Sequence, residues 1–169
     1  THIPQIMANN PGVTIWQNAC VEPGDNLLAN GGFESGGMAP WYLGGPPDAQ
    51  PAAEVVEELV GASVPESPVE GGHCLHVTVP NPGDNPWWSY GLRQGSLCYR
   101  AGKQYTLSVW LKCKQGTFDT DCVVRLEGGS WTTYAQQFFT MTDTWAQYSV
   151  TTAVFTQDVS PGEVKFHFG

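Results

Sequence analysis

Two short stretches concentrate the side chains best suited to gripping a ligand. Residues 86–94 bring Trp87, Trp88, Tyr90, Arg93 and Gln94 together, and residues 130–137 bring Trp131, Tyr134, Gln136 and Gln137. Indole and phenol rings offer flat apolar platforms, while amides and a guanidinium offer planar hydrogen-bonding groups at their edges. Trp87 and Trp88 are adjacent, so in a regular strand they face opposite ways and one of them reaches the ligand. With Trp88 as that one, parity places Tyr90 beside it and Arg93 behind. Trp131 follows Gly128-Gly129-Ser130, a loop setting in which a ring is rarely buried. His167 differs in parity from Phe166 and Phe168, which points it away from their apolar face.

The elements that must position these groups read as strands. In CLHVTV (Cys74–Val79), Leu75, Val77 and Val79 share one side; in YTLSVWLKC, Tyr105, Leu107, Val109, Leu111 and Cys113 do the same. CVVRLEG (Cys122–Gly128), TYAQQFFTM (Thr133–Met141), AQYSVTTAVF (Ala146–Phe155) and VKFHFG (Val164–Gly169) follow, most of them separated by Gly- or Pro-bearing turns. AAEVVEELV (Ala52–Val60) fits a short helix or a strand. Several short strands at this rhythm predict an all-β chain, an antiparallel β-sandwich or jelly roll over residues 26–169. Residues 1–25 read as an N-terminal arm or linker with one strand-like run, Val13–Trp16.

Composition narrows the function classes. Seven Lys and Arg against 16 Asp and Glu give a net charge of −9, and no basic run opposes it. Phosphate backbones and anionic membrane surfaces are therefore poor partners. No apolar run approaches the roughly 20 residues of a spanning helix. Charged residues are 14% of the chain, against about 25% in ordinary domains. With 20 Gly, 13 Pro and 7 Trp, the chain suits loop-rich β structure that meets its ligand through rings and amides. The five cysteines lack the spacing of a zinc site and predict an oxidising, secreted setting. Cys113 and Cys122 flank the turn-like QGTFDTD and are expected to pair, as are Cys74 and Cys98, leaving Cys20 over. The opening THIPQIMANN shows no secretory signal and reads as a mature or excised start.

NLLANGGFE (Asn26–Glu34) with a Trp shortly after it resembles the opening of carbohydrate-binding modules of families 4, 9 and 22. NPWWSYGLRQGSLCYRAGKQYTLSVWLKC resembles the centre of those modules, and TDTWAQYSVTTAVF and VKFHFG resemble their later strands. The resemblance spans roughly Asn26 to Gly169. It implies a jelly roll whose cleft binds a polysaccharide, beside a glycoside hydrolase or lyase in a secreted enzyme. A sugar ring fits the side-chain set above, since its C–H face stacks on an aromatic platform and its hydroxyls meet planar polar groups. The resemblance places both aromatic stretches on the cleft side and implies packing roles for Trp41, Trp110 and Trp145. The implied ligand is a β-linked polysaccharide such as xylan, a β-glucan or amorphous cellulose. Many such modules carry a structural calcium, and Glu34 matches a position near it, with main-chain carbonyls of Gly31–Gly32 and of Glu70–His73 as companions.

Two departures from the pattern stand out. The family pattern continues into a further strand beyond the point where this sequence ends; either the sequence is truncated before that strand, or another segment replaces it, with the arm at Val13–Trp16 as the candidate. Strand addition of that kind is the basis of an alternative reading, a structural or adhesive subunit. Gly91 stands where a polar side chain is common. For an enzyme, a glycosidase-like pair would need two carboxylates across a cleft; Asp119, Asp121 and Glu127 are available, but the first two lie in an expected hairpin turn. No nucleophile elbow, phosphate loop or metal-binding His pair occurs. The expected role is binding without catalysis.

Overall fold

The computed structural model describes residues 26–46, 50–57, 72–80 and 90–168. Among them are nine strands and no helix: β1 (Tyr42–Gly44), β2 (Ala52–Glu57), β3 (His73–Thr78), β4 (Gly91–Tyr99), β5 (Thr106–Leu111), β6 (Thr117–Leu126), β7 (Thr133–Thr142), β8 (Ala146–Thr151) and β9 (Val159–His167). The chain is an antiparallel β-sandwich. One layer is a five-stranded sheet in the order β1-β4-β9-β6-β7; the strand pairs β2-β3 and β5-β8 pack their apolar sides against it. Residues 52–60, which fit either helix or strand by sequence, are strand through Glu57.

Alternation explains the layering. Leu92, Phe166, Cys122 and Phe139 face inward from successive strands of the large sheet, and Leu75, Val77, Leu107, Val109 and Val150 meet them from the other layer. Burying each large side chain of this kind contributes about 1.5–3 kcal/mol. Trp41 belongs to this core, its ring centroid 6.3 Å from that of Phe33 and 6.4 Å from that of Phe166. Trp110 and Trp145 do not. Both are half-buried outside the core cluster, and the Lys112 ammonium sits 5.0 Å above the Trp145 ring.

Strand β6 begins four residues before Asp121, so QGTFDTD is largely strand rather than a hairpin turn. Asp119 and Asp121 thus lie within the large sheet, paired with Thr140 and Phe138. The expected disulfides do not form. Cys122 is a thiol inside the core, Cys113 is a thiol whose Sγ lies 3.3 Å from the Gly116 carbonyl, and Cys74 is a thiol as well. Cys98 is disulfide-bonded, to neither Cys74, Cys113 nor Cys122. The arm, Val13–Trp16 and Cys20 lie outside the described residues.

Candidate functional site

Strand register assigns the two faces of the large sheet. The row Leu43–Leu92–Phe166–Cys122–Gln137 belongs to the inner side. The neighbouring rows, Tyr42–Arg93–Lys165–Val123–Gln136 and Gly44–Gly91–His167–Asp121–Phe138, therefore belong to the outer side. Arg125 and Glu163, paired across β6 and β9, share that outer side.

Three aromatic rings are exposed among the described residues: Tyr42 at 58%, Trp131 at 45% and Phe138 at 66%. Tyr42 and Phe138 stand on outer-face rows of the two edge strands. Trp131 leans back over the outer face from the β6–β7 loop, its ring 4.6 Å from the Arg125 guanidinium carbon. The loop holds it there with left-handed backbone at Gly128, Gly129 and Trp131 (φ 80°, 58° and 52°) and a bond from the Trp131 N–H to the Gly128 carbonyl of 3.1 Å. A non-glycine residue in that region costs on the order of 1–3 kcal/mol, a strain found where function constrains the backbone.

Between Tyr42 and Trp131 lies an open depression of about 210 Å³, lined by Gly44, Gly45, Gly91, Arg93, Arg125 and Lys165. Gly91 has a steric reason to be glycine. A Cβ there would collide with Lys165 Cε and come within 3.0 Å of the Phe166 carbonyl oxygen. Lys165 crosses this space; burial and the nearby Arg125 guanidinium lower the pKa of its ammonium.

Beneath the depression the charges interlock. Glu163, wholly buried, accepts from Arg125 Nε at 2.5 Å and from Arg93 Nη1 at 3.2 Å. Glu127 lies 3.6 Å from Arg93 and accepts the Ser96 N–H at 2.8 Å. Arg93 in turn stands 5.2 Å over the Tyr42 ring. Toward β7, Asp121 contacts His167 Nδ1 at 2.7 Å and accepts from Gln136 Nε2 at 2.6 Å. These carboxylates are all engaged in hydrogen bonds.

Of the residues singled out from sequence, Arg93, Trp131 and Gln136 come together on this outer face. His167 also faces that side but is buried against Asp121. Three others do not join this face. Tyr90, just before β4, is fully buried in the core, because the chain turns Tyr90, Leu92 and Gln94 inward and presents Arg93 outward, the reverse of the expected parity. Gln94 is buried on the core side, its amide donating to the Ala29 carbonyl at 2.8 Å and accepting the Ala29 N–H at 2.6 Å. Tyr134 fails for a local reason. Ala135 opposes Val124 but Thr133 opposes Arg125, so Tyr134 is the extra residue of a bulge, and its ring packs 4.8 Å from Phe155. Gln137 is exposed on the inner-face parity. Trp87 and Trp88 lie outside the described residues.

Glu34 accepts the N–H groups of Gly72 and His73 at 3.2 and 3.3 Å, and its other close partner is His73 Nδ1 at 3.0 Å. The His73 hydrogen bond holds its carboxyl below the usual range. Calcium wants a shell of oxygens, whereas the neighbours here are nitrogens, and no group of three His, Cys, Asp or Glu converges among the described residues. The hydrogen-bond partners of Glu34 are thus donors, and Glu70 and Gly71 of the segment expected to supply carbonyls lie outside the described residues.

Sequence reasoning missed Tyr42, Arg125, Phe138, Glu163 and Lys165. Parity within YLG and QQFFTM holds the signal for the two rings, since Trp41 and Phe139 are the inward members of each pair.

Comparison with known proteins agrees with this fold. The family model described as "Carbohydrate binding domain" (CBM_4_9) matches residues 25–169. No curated protein matches in sequence. Among solved structures, a CBM4 module aligns with a TM-score of 0.60 at 20% identity, covering 85% of this chain and 89% of that one. TmCBM61 in complex with β-1,4-galactotriose aligns with a TM-score of 0.53 at 20% identity, covering 85% and 88%. The enzymatically active domain of tailspike protein 4 from bacteriophage CBA120 aligns at 0.58 and 14% identity over 85% of this chain, but only 19% of that one. At such identities these likenesses concern the fold. The match over residues 25–169 carries the assignment: the chain belongs to the carbohydrate-binding domain family.

Proposed function

We propose that the outer face of the five-stranded sheet holds a β-linked polysaccharide without cleaving it. One observation carries this: the three exposed aromatic rings among the described residues stand on a single face, beside guanidinium and amide groups. Sugar C–H faces stack on such rings while their hydroxyls take up the polar edges. Xylan, β-glucans and amorphous cellulose are the candidate ligands. A β-1,4-galactan joins them, because TmCBM61 holds a β-1,4-galactotriose. The carboxylates support the non-catalytic reading: Glu163, Glu127 and Asp121 are engaged by arginines, a main-chain N–H, a glutamine and a histidine. The biological role would be to keep a linked glycoside hydrolase or lyase near its substrate outside the cell, raising effective concentration.

Native affinity electrophoresis against soluble members of these glycan classes, with pull-down on insoluble cellulose, tests the reading. Retardation by one β-glycan class is expected, unchanged by chelator and without release of reducing ends. No retention by any glycan would refute it, and release of reducing ends would refute the non-catalytic part.

A further inference from the structure

We propose that Glu163 is a positioning residue for the sugar platforms, fixing Tyr42 and Trp131 through the two guanidiniums it holds. The proposal rests on the reading of this face as the glycan-binding face. Each Glu163 carboxylate oxygen takes one arginine: Oε1 that of Arg125, Oε2 that of Arg93. Each of those guanidiniums covers one face of an exposed ring, Arg125 that of Trp131 and Arg93 that of Tyr42. A single buried carboxylate thus sits between two guanidiniums, each with a platform beyond it, and Arg93 also lies 3.6 Å from Glu127.

Stability alone gives little reason for the arrangement. A fully buried carboxylate is costly to desolvate, and replacing such ion groups by apolar side chains is often neutral or stabilising. What the carboxylate secures is geometry. The planar, forked guanidinium stacks on a ring while it bonds a carboxylate, which an ammonium cannot do in the same way. Tyr42 is on β1 and Arg125, beneath Trp131, is on β6, with β4 and β9 between. Three steps of about 4.8 Å set the two anchor points roughly 14 Å apart across the strands. Since a guanidinium covers one face of each ring, the opposite face is the one offered to sugar, and the separation of the two platforms is set by Glu163.

The test is a double-mutant cycle on glycan affinity, using whichever polysaccharide the wild-type protein retains. Glu163→Gln should weaken binding about tenfold, the scale of coupling within one side-chain network. In a Trp131→Ala background the same change should cost clearly less, because one of its two platforms is already gone. A purely structural role would instead give equal losses in both backgrounds. Arg125→Lys, which keeps the charge beside Glu163 but loses the planar stack, should reproduce the loss and shift the Trp131 indole N–H resonance in the free protein. It decides the matter if Glu163→Gln fails to fold. Wild-type-like affinity in folded Glu163→Gln, or additive losses, would overturn the proposal while leaving the binding face intact. A wild-type protein that retains no glycan would overturn the functional reading and this proposal with it.

Discussion

Phe138 and Phe139 are neighbours in sequence on opposite faces of β7, which makes them a sharp test of the face assignment. Phe139 is 7% exposed, sits in the core cluster and packs its ring 4.9 Å from that of Tyr148. Phe138 is paired with Asp121 on the outer side and is 66% exposed. Phe139→Ala removes a core ring and leaves a cavity, costing about 3–5 kcal/mol. For a chain of this size each kcal/mol moves Tm by about 2–4 °C, so the midpoint should fall by roughly 6–20 °C. Phe138 is 66% exposed and outside the core cluster, so the Phe138→Ala midpoint should stay within about 2 °C, since exposed changes of this kind rarely exceed ±0.5 kcal/mol. Its effect should fall on glycan binding, where loss of a stacking ring costs about 1–3 kcal/mol by analogy with base stacking, or roughly 5- to 150-fold in Kd. Calorimetric melting and isothermal titration on the two variants separate the effects. The reasoning is refuted if Phe138→Ala melts early with normal affinity, or if Phe139→Ala keeps its midpoint and loses binding.

Two further outcomes follow from the buried chemistry. Lys165 has a folded-state pKa below its unfolded value, so the unfolded chain binds more protons between the two values and stability rises with pH across that window. Compared with Lys165→Met, the wild-type protein should therefore gain relative stability between its folded pKa and about pH 10.4, measured by denaturant melts at stepped pH; a constant difference would contradict the assignment. Cys122 is buried, and burial pushes its thiol pKa well up, whereas Cys113 is half-buried. A thiol reagent should label Cys113 well before Cys122 in the folded protein, read by mass spectrometry; a Cys113–Cys122 disulfide, or equal labelling, would refute the placement.

The fold was largely legible because alternation survives wherever one side of a strand is dry. Leu107, Val109 and Leu111 announce β5, and Val164, Phe166 and Phe168 announce the inner side of β9 and the residue that follows it. The family resemblance then supplied the sandwich that such strands build. Site residues were harder to read for three physical reasons. Tyr134 sits on a bulge, and one extra residue reverses the face that parity predicts. The acidic stretch FDTD resembles a solvated turn, yet Asp121 is buried because His167 and Gln136, distant in sequence, satisfy it. The pairing of Arg93 and Arg125 on Glu163 joins three strands, and no local pattern encodes which carboxylate two arginines will share. Tyr90 and Gln94 follow the same lesson. Their side-chain types suit a ligand, but the parity of β4 and of the residue before it directs them into the interior.

The position of β9 in the sheet has a consequence for biosynthesis. It is the last strand of the described residues in sequence, yet it lies between β4 and β6, and those two strands share hydrogen bonds only through it. On the ribosome, β4 and β6 must wait with unsatisfied edges until residues 159–167 have left the exit tunnel. Contacts of such long sequence separation slow folding, and open edges invite intermolecular pairing meanwhile. A nascent chain halted before Val159 would have made Tyr42, Arg93, Arg125 and Trp131, but lack the strand bearing Glu163 and Lys165. The binding face is thus assembled late and as a unit, so truncated or prematurely terminated chains should be candidates for chaperone capture instead of weak glycan binders.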